Sequence, residues 1–111
     1  MKRDYKLYLN DIKESIKFIE GYMEGISEQV FKENQQLQDA VIRRFEIIGE
    51  ASRNIPKSLK EKNKQVPWHD MSQFRDLISH SYFYIGLDKV WIAYTKELPK
   101  IKESLKNIKL V

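Results

Sequence analysis

With 111 residues the chain has the length of one domain, and a core of that size can be stable without covalent staples. It contains no cysteine, which excludes a disulfide framework and a thiolate metal site and fits a reducing compartment. Twenty Lys and Arg stand against 16 Asp and Glu, and the resulting charge of +4 permits an anionic partner such as RNA without demanding one.

No apolar run approaches the roughly 18 residues that a membrane span requires. The opening MKRDYKLYLNDIKES is charged throughout and lacks the apolar centre of a signal peptide. The expectation is a cytoplasmic protein, not associated with a membrane, folded as a single domain over residues 1–111.

In chain order, Tyr5, Leu9, Ile12, Ile16, Ile19 and Met23 recur at steps of four and three, the stripe of an amphipathic helix. Gly25 is placed to stop that helix and Ser27 to cap a new one. EQVFKENQQ (28–36) has a poor helical signal and reads as a loop or a short irregular turn. Leu37, Val41, Phe45 and Ile48 form a second stripe. Arg43, Glu46, Glu50 and Arg53 share another face, as solvated and mutually paired charges do. Gly49 costs that helix about 1 kcal/mol relative to Ala, which close packing against another segment would explain. Pro56 ends the helix by pushing its predecessor out of the α region.

PKSLKEKNKQ (56–65), with four lysines and one Glu, reads as a solvated loop or short helix that phosphates could touch. Asp70 and Gln73 have capping-box spacing, so a helix is expected from about Met71, carrying FRDLISHSYFY (74–84) as far as Gly86. Asp88 can cap the next helix, whose stripe is Leu87, Trp91, Tyr94, Leu98, Ile101, Leu105 and Ile108. Pro99 falls inside that stripe and calls for a kink or break. Trp68 and Trp91 are expected as core or interface anchors, and His69 as a helix-start residue that could also meet RNA. No segment alternates with period two. The fold class is therefore all-α, an antiparallel bundle of four or five helices.

The inventory of chemistry is short. There is no Gly-rich phosphate loop, no HExxH pair and no nucleophile elbow. His69 and His80 stand eleven residues apart without a dense carboxylate cluster, so no metal site and no cofactor are expected. What remains is Arg75 with His80, a pairing suited to cleavage of RNA phosphodiesters. There the substrate brings its own nucleophile, the 2′-hydroxyl. A histidine moves protons near neutral pH, and an Arg fork matches phosphate oxygens. Tyr82 could orient a phosphate or stack on a base. The plain alternative is a packing histidine beside a surface arginine.

At about 100° per residue, positions 75, 79 and 82 share a helix face, whereas 80 lies about 140° around from 75. Asp76 and His80, four apart, are neighbours, so Asp76 can accept a hydrogen bond from His80 and set its tautomer. Arg75 and His80 converge only if the helix distorts, if Arg75 reaches around, or if a second subunit contributes. A two-fold dimer with this helix at its interface would bring both groups into one cleft.

Arg75-Asp76-x-x-x-His80-x-Tyr82 resembles the Arg-x4-His-x-Tyr signature of the HEPN superfamily, and more specifically the HepT ribonuclease toxins of HEPN/MNT toxin–antitoxin systems. RRFEIIGEASRNIP (43–56), VPWHDMSQFRDLISHSYF (66–83) and LDKVWIAYTKELPKIK (87–102) are similar to that family's blocks in the same order, and the likeness covers roughly residues 4–105. The resemblance implies an HEPN-like helical bundle that forms a homodimer and cleaves RNA without metal at a cleft between subunits. It implies Arg75 and His80 as catalytic residues and Asp76 as the supporting polar residue. It also implies Tyr82 as the site where a minimal nucleotidyltransferase antitoxin transfers AMP. Two other readings stay open: a catalytically silent subunit that presents a nucleotide or substrate to a nucleotidyltransferase, and a purely structural helical dimer.

Overall fold

The computed structural model describes residues 3–76 and 86–110. Among them the fold is all-α. α1 (Tyr5–Met23) and α3 (Gln35–Arg53) are the long helices, and the short helices α2 (Glu28–Glu33), α4 (Lys57–Lys62) and α5 (Trp68–Ser72) link and extend them. A 3₁₀ turn (Gln73–Asp76) continues α5. α6 (Gly86–Ile92), a π-helical turn (Ala93–Glu97) and α7 (Leu98–Ser104) form one unbroken helical run. None of these helices is long and apolar enough to cross a membrane.

α1 starts at Asp4, whose side chain accepts from the Lys6 N–H at 2.9 Å. It ends where Gly25 takes φ 72°, a left-handed conformation that glycine adopts without strain. Leu9, Ile12, Ile16, Ile19 and Met23 are buried, as their spacing predicts. They meet Val41, Phe45 and Ile48 of α3, which lies along α1 and forms the centre of the molecule. Each such side chain contributes about 1.5–3 kcal/mol through burial.

The stretch expected as a loop is instead a helix, α2. Ser27 caps it, accepting from Val30 N–H at 3.2 Å, and Phe31 is its fully buried anchor. A single anchor in six residues leaves no period to read. Asn34 ends α2 and caps α3, accepting from Leu37 N–H at 3.0 Å. Gln38 donates to the carbonyls of Phe31 (2.9 Å) and Lys32 (3.0 Å), satisfying the end of α2 from α3.

The lysine-rich segment is the short helix α4, held by Leu59 and closed by the buried Asn63. The Asn63 amide donates to Leu59 O (2.9 Å) and Lys109 O (2.7 Å), and its Oδ1 accepts from Lys109 N–H (2.6 Å). Its own carbonyl accepts from Trp68 Nε1 at 3.0 Å. One residue thus ties the C-terminal segment to the start of α5.

Two expectations about the motif segment are corrected. Its helix begins at Trp68, not Met71, because Pro67 supplies the helix start and the buried Trp68 anchors it. Asp70 therefore sits inside the first turn and is not the cap. The α-helix also stops at Ser72, so Arg75 and Asp76 lie on a 3₁₀ turn. The 100° count from position 75 does not hold for that step. Similarly, Asp88 lies within the first turn of α6, where its charge suits the helix dipole, and it pairs with Lys32 of α2.

The break required by Pro99 takes the form of the π turn. The Leu98 N–H donates to Ala93 O, five residues back. That extra residue shifts the buried stripe, which runs Gly86, Val90, Ala93, Leu98, Ile101 and Leu105. Leu87, Trp91 and Tyr94, expected as core, are only partly buried.

Candidate functional site

The candidate site begins on α3. Gly49 lies where the backbone of α5 and the 3₁₀ turn comes down onto that helix. A Cβ at Gly49 would stand 2.8 Å from the Arg75 amide nitrogen, 3.3 Å from Met71 O and 3.4 Å from Phe74 C. No side chain larger than hydrogen fits there unless that backbone moves. The glycine therefore has the close-packing role its position in a helix calls for.

Phe74 fixes the same turn from inside. It is buried, and its ring meets Phe45 edge-on with centroids 4.9 Å apart. With Phe74 pointing into the core, the next residue, Arg75, faces outward. Its side chain is 47% exposed, and Nε lies 3.3 Å from Oε2 of Glu50, which is 55% exposed. Glu50 immediately follows Gly49, so the same stretch of α3 seats the Arg75 backbone and contacts its guanidinium.

The charged face of α3 is thus only partly paired within its own helix. Arg43 and Glu46 are partners at 3.0 Å, while Glu50 turns to Arg75. Spacing alone groups Glu50 with the mutually paired charges of its helix and does not show this link. The signal that the sequence does carry is Gly49, a helical glycine onto which another segment packs; Gly21, within α1, meets no such segment.

Asp76 ends the 3₁₀ turn and borders an open cleft of about 380 Å³, lined also by Asp70, Gln73, Lys89, Ile92 and Glu97. The Glu97 carboxyl is held above the usual glutamate range, mainly by burial and further by the charge of Asp70; Lys100 opposes the shift. His69 lies in the first turn of α5, as expected, with Nε2 3.2 Å from the Gln73 amide nitrogen. Trp68 is a core residue, and the half-buried Trp91 lies between Phe31 and Tyr94, tilted against both, at centroid distances of 6.0 and 5.7 Å. Among the described residues, no three His, Cys, Asp or Glu side chains are grouped as ligands for a metal ion. His80 and Tyr82 lie outside the described residues, and with them the expected bond between Asp76 and His80. The structure thus brings Arg75 together with Glu50 and places Asp76 beside a cleft.

A family model described as "Ribonuclease HepT-like" matches residues 12–108. The chain is 38% identical over 109 residues to the "Probable ribonuclease HepT" of Thermococcus cleftensis, covering 98% of this chain and 99% of that protein. It is 44% identical over 108 residues to the "Gamma-glutamylcyclotransferase and putative RNase MJ0434" of Methanocaldococcus jannaschii, covering 97% of this chain. The match spans 49% of that relative, so this chain corresponds to about half of it. No solved structure gives a significant match. A helical bundle that carries the Arg75 motif and matches this family model over most of its length belongs to the HepT-like ribonuclease family.

Proposed function

We propose that this protein is a metal-independent endoribonuclease, the toxin of a toxin–antitoxin pair, and that it works in the cytoplasm as a homodimer. The observation that carries the reading is Arg75, presented to solvent at the end of a packed turn with Glu50 at its Nε. Family membership and the chemistry of the Arg75–His80 motif support it.

In this reading the RNA supplies the nucleophile. His80 takes the proton of a 2′-hydroxyl, whose oxygen forms a bond to the adjacent phosphorus. The bond from phosphorus to the 5′-oxygen breaks, and that oxygen leaves with a proton returned from an imidazolium. The products are a 2′,3′-cyclic phosphate and a 5′-hydroxyl. Arg75 offsets the negative charge that builds on the phosphoryl oxygens. Asp76 orients His80, and the two-fold dimer supplies Arg75 and His80 to a shared cleft.

The same reading gives Tyr82 a regulatory role. A partner nucleotidyltransferase joins the Tyr82 oxygen to the α-phosphorus of ATP, and pyrophosphate leaves. The attached AMP adds bulk and a negative phosphate beside a site that must bind an anion.

The test is cleavage of RNA by wild type, Arg75→Ala and His80→Ala, each with and without a chelator. Wild type should cleave equally in both conditions, and each variant should lose about 100-fold or more. Loss of activity on chelation would overturn the metal-free mechanism. Unchanged cleavage by His80→Ala would overturn the assignment of the base. A protein that never cleaves RNA yet binds a nucleotidyltransferase and a nucleotide would replace this reading with that of a silent binding subunit.

A further inference from the structure

We infer that Glu50 is a positioning residue for Arg75, and that the Gly49-Glu50 step of α3 is the seat on which the phosphate-binding arginine is held. This inference rests on the proposed ribonuclease activity and names a residue that the Arg75–His80 motif does not contain.

Three contacts from one stretch of α3 hold Arg75 and the residue before it. Phe45 holds the preceding residue, Phe74, ring against ring at 4.9 Å. Gly49 lets the Arg75 amide nitrogen sit where a methyl group would be 2.8 Å away. Glu50 meets the guanidinium at 3.3 Å. Backbone, preceding side chain and charged head are thus all referenced to the same helix.

Stability does not account for the third contact. Both side chains are about half exposed, and ion pairs in that setting add little to folding. Geometry does account for it. An arginine side chain has many rotamers, and a carboxylate at Nε restricts them. Contact at Nε leaves the Nη end of the fork for a phosphate. The guanidinium is then already aimed when the substrate arrives, a condition to which phosphoryl chemistry is sensitive.

A negative charge beside an RNA site should otherwise be a handicap, because it repels the substrate. This opposition makes the inference testable with Glu50→Gln. Removing the charge favours RNA binding on simple electrostatic grounds, so KM should stay level or fall. Loss of positioning should nevertheless lower kcat by about 10- to 100-fold. Glu50→Asp, which keeps the charge one methylene shorter, should recover part of that loss. The melting temperature of Glu50→Gln should match that of wild type, since the pair is exposed.

An independent measurement does not require cleavage. The Arg75 Nε–H signal in a nitrogen–proton spectrum, assigned by its absence in Arg75→Lys, should shift and exchange faster with water in Glu50→Gln. Wild-type kcat in Glu50→Gln would overturn the inference, as would a loss confined to KM, or one that tracks a fall in melting temperature. If wild type itself cleaves no RNA, the ribonuclease reading fails. In that case an unchanged Arg75 signal in Glu50→Gln would also overturn the inference, while a shifted one would uphold the seat.

Discussion

At the scale of single residues, Glu97 shows local environment altering side-chain chemistry. Nothing in its sequence neighbourhood marks it, yet burial and the charge of Asp70 raise its carboxyl above the usual range. The folded state therefore binds a proton there more readily than the unfolded chain does. The corresponding stability is fully present at pH values below the ordinary glutamate range. It is lost as the pH rises through the folded-state value. Glu97→Gln should accordingly raise the melting temperature near neutral pH and leave it unchanged in acid. The gain should be modest, because the residue is exposed and water screens its surroundings. Equal effects at both pH values would show that the charge is not the cause.

Gly49 shows how far the sequence can be read at the scale of elements. A glycine inside a 19-residue helix is disfavoured there, and close packing against another segment explains the cost. The partner is the backbone of α5 and the 3₁₀ turn, which no local pattern names. Gly49→Ala should therefore behave against helix propensity. An isolated α3 would gain about 1 kcal/mol, but the folded protein should lose about 1–3 kcal/mol as the turn is pushed off the helix. Urea unfolding would measure the loss, and RNA cleavage should fall with it because Arg75 rides on that backbone. A stabilised Gly49→Ala would mean that the turn shifts freely. Other elements are legible to the degree that they repeat. α1 and α3 are long enough for their stripes to show: the spacing finds Leu9, Ile12, Ile16, Ile19 and Met23 of α1 and Val41, Phe45 and Ile48 of α3, while Tyr5 and Leu37 at the helix starts are only partly buried. α2 escapes such a reading because it has one anchor, Phe31, and its stability depends on Ser27 and on Gln38 of another helix. Pro99 announces an interruption in its run, but the π turn moves the core by one residue, from Trp91 and Tyr94 to Val90 and Ala93. A proline states that an α-helical bond is missing but not how the chain accommodates the loss.

At the scale of the whole molecule, the proposed dimer makes a prediction of its own. If one cleft takes Arg75 from one subunit and His80 from the other, two inactive variants should complement each other. Arg75→Ala and His80→Ala mixed under conditions of subunit exchange form about half heterodimers, each with one intact site. Activity should return to about a quarter of the wild-type level. No recovery, with exchange verified by mass, would show that each chain carries its own complete site, or that the dimer is not the working unit.

The sequence by itself determined the helical class, the faces of α1 and α3, the punctuation at Gly25, Ser27 and Pro99, and the motif that points to phosphodiester chemistry. Each of these is local: a period, a cap or a spacing is contained in a few neighbouring residues. Only the tertiary structure decided that Arg75 lies on a 3₁₀ turn, that Gly49 seats its backbone and that Glu50 meets its guanidinium. These contacts join residues far apart in the chain. They exist because Phe74 finds Phe45 across the core and carries its exposed neighbour to α3.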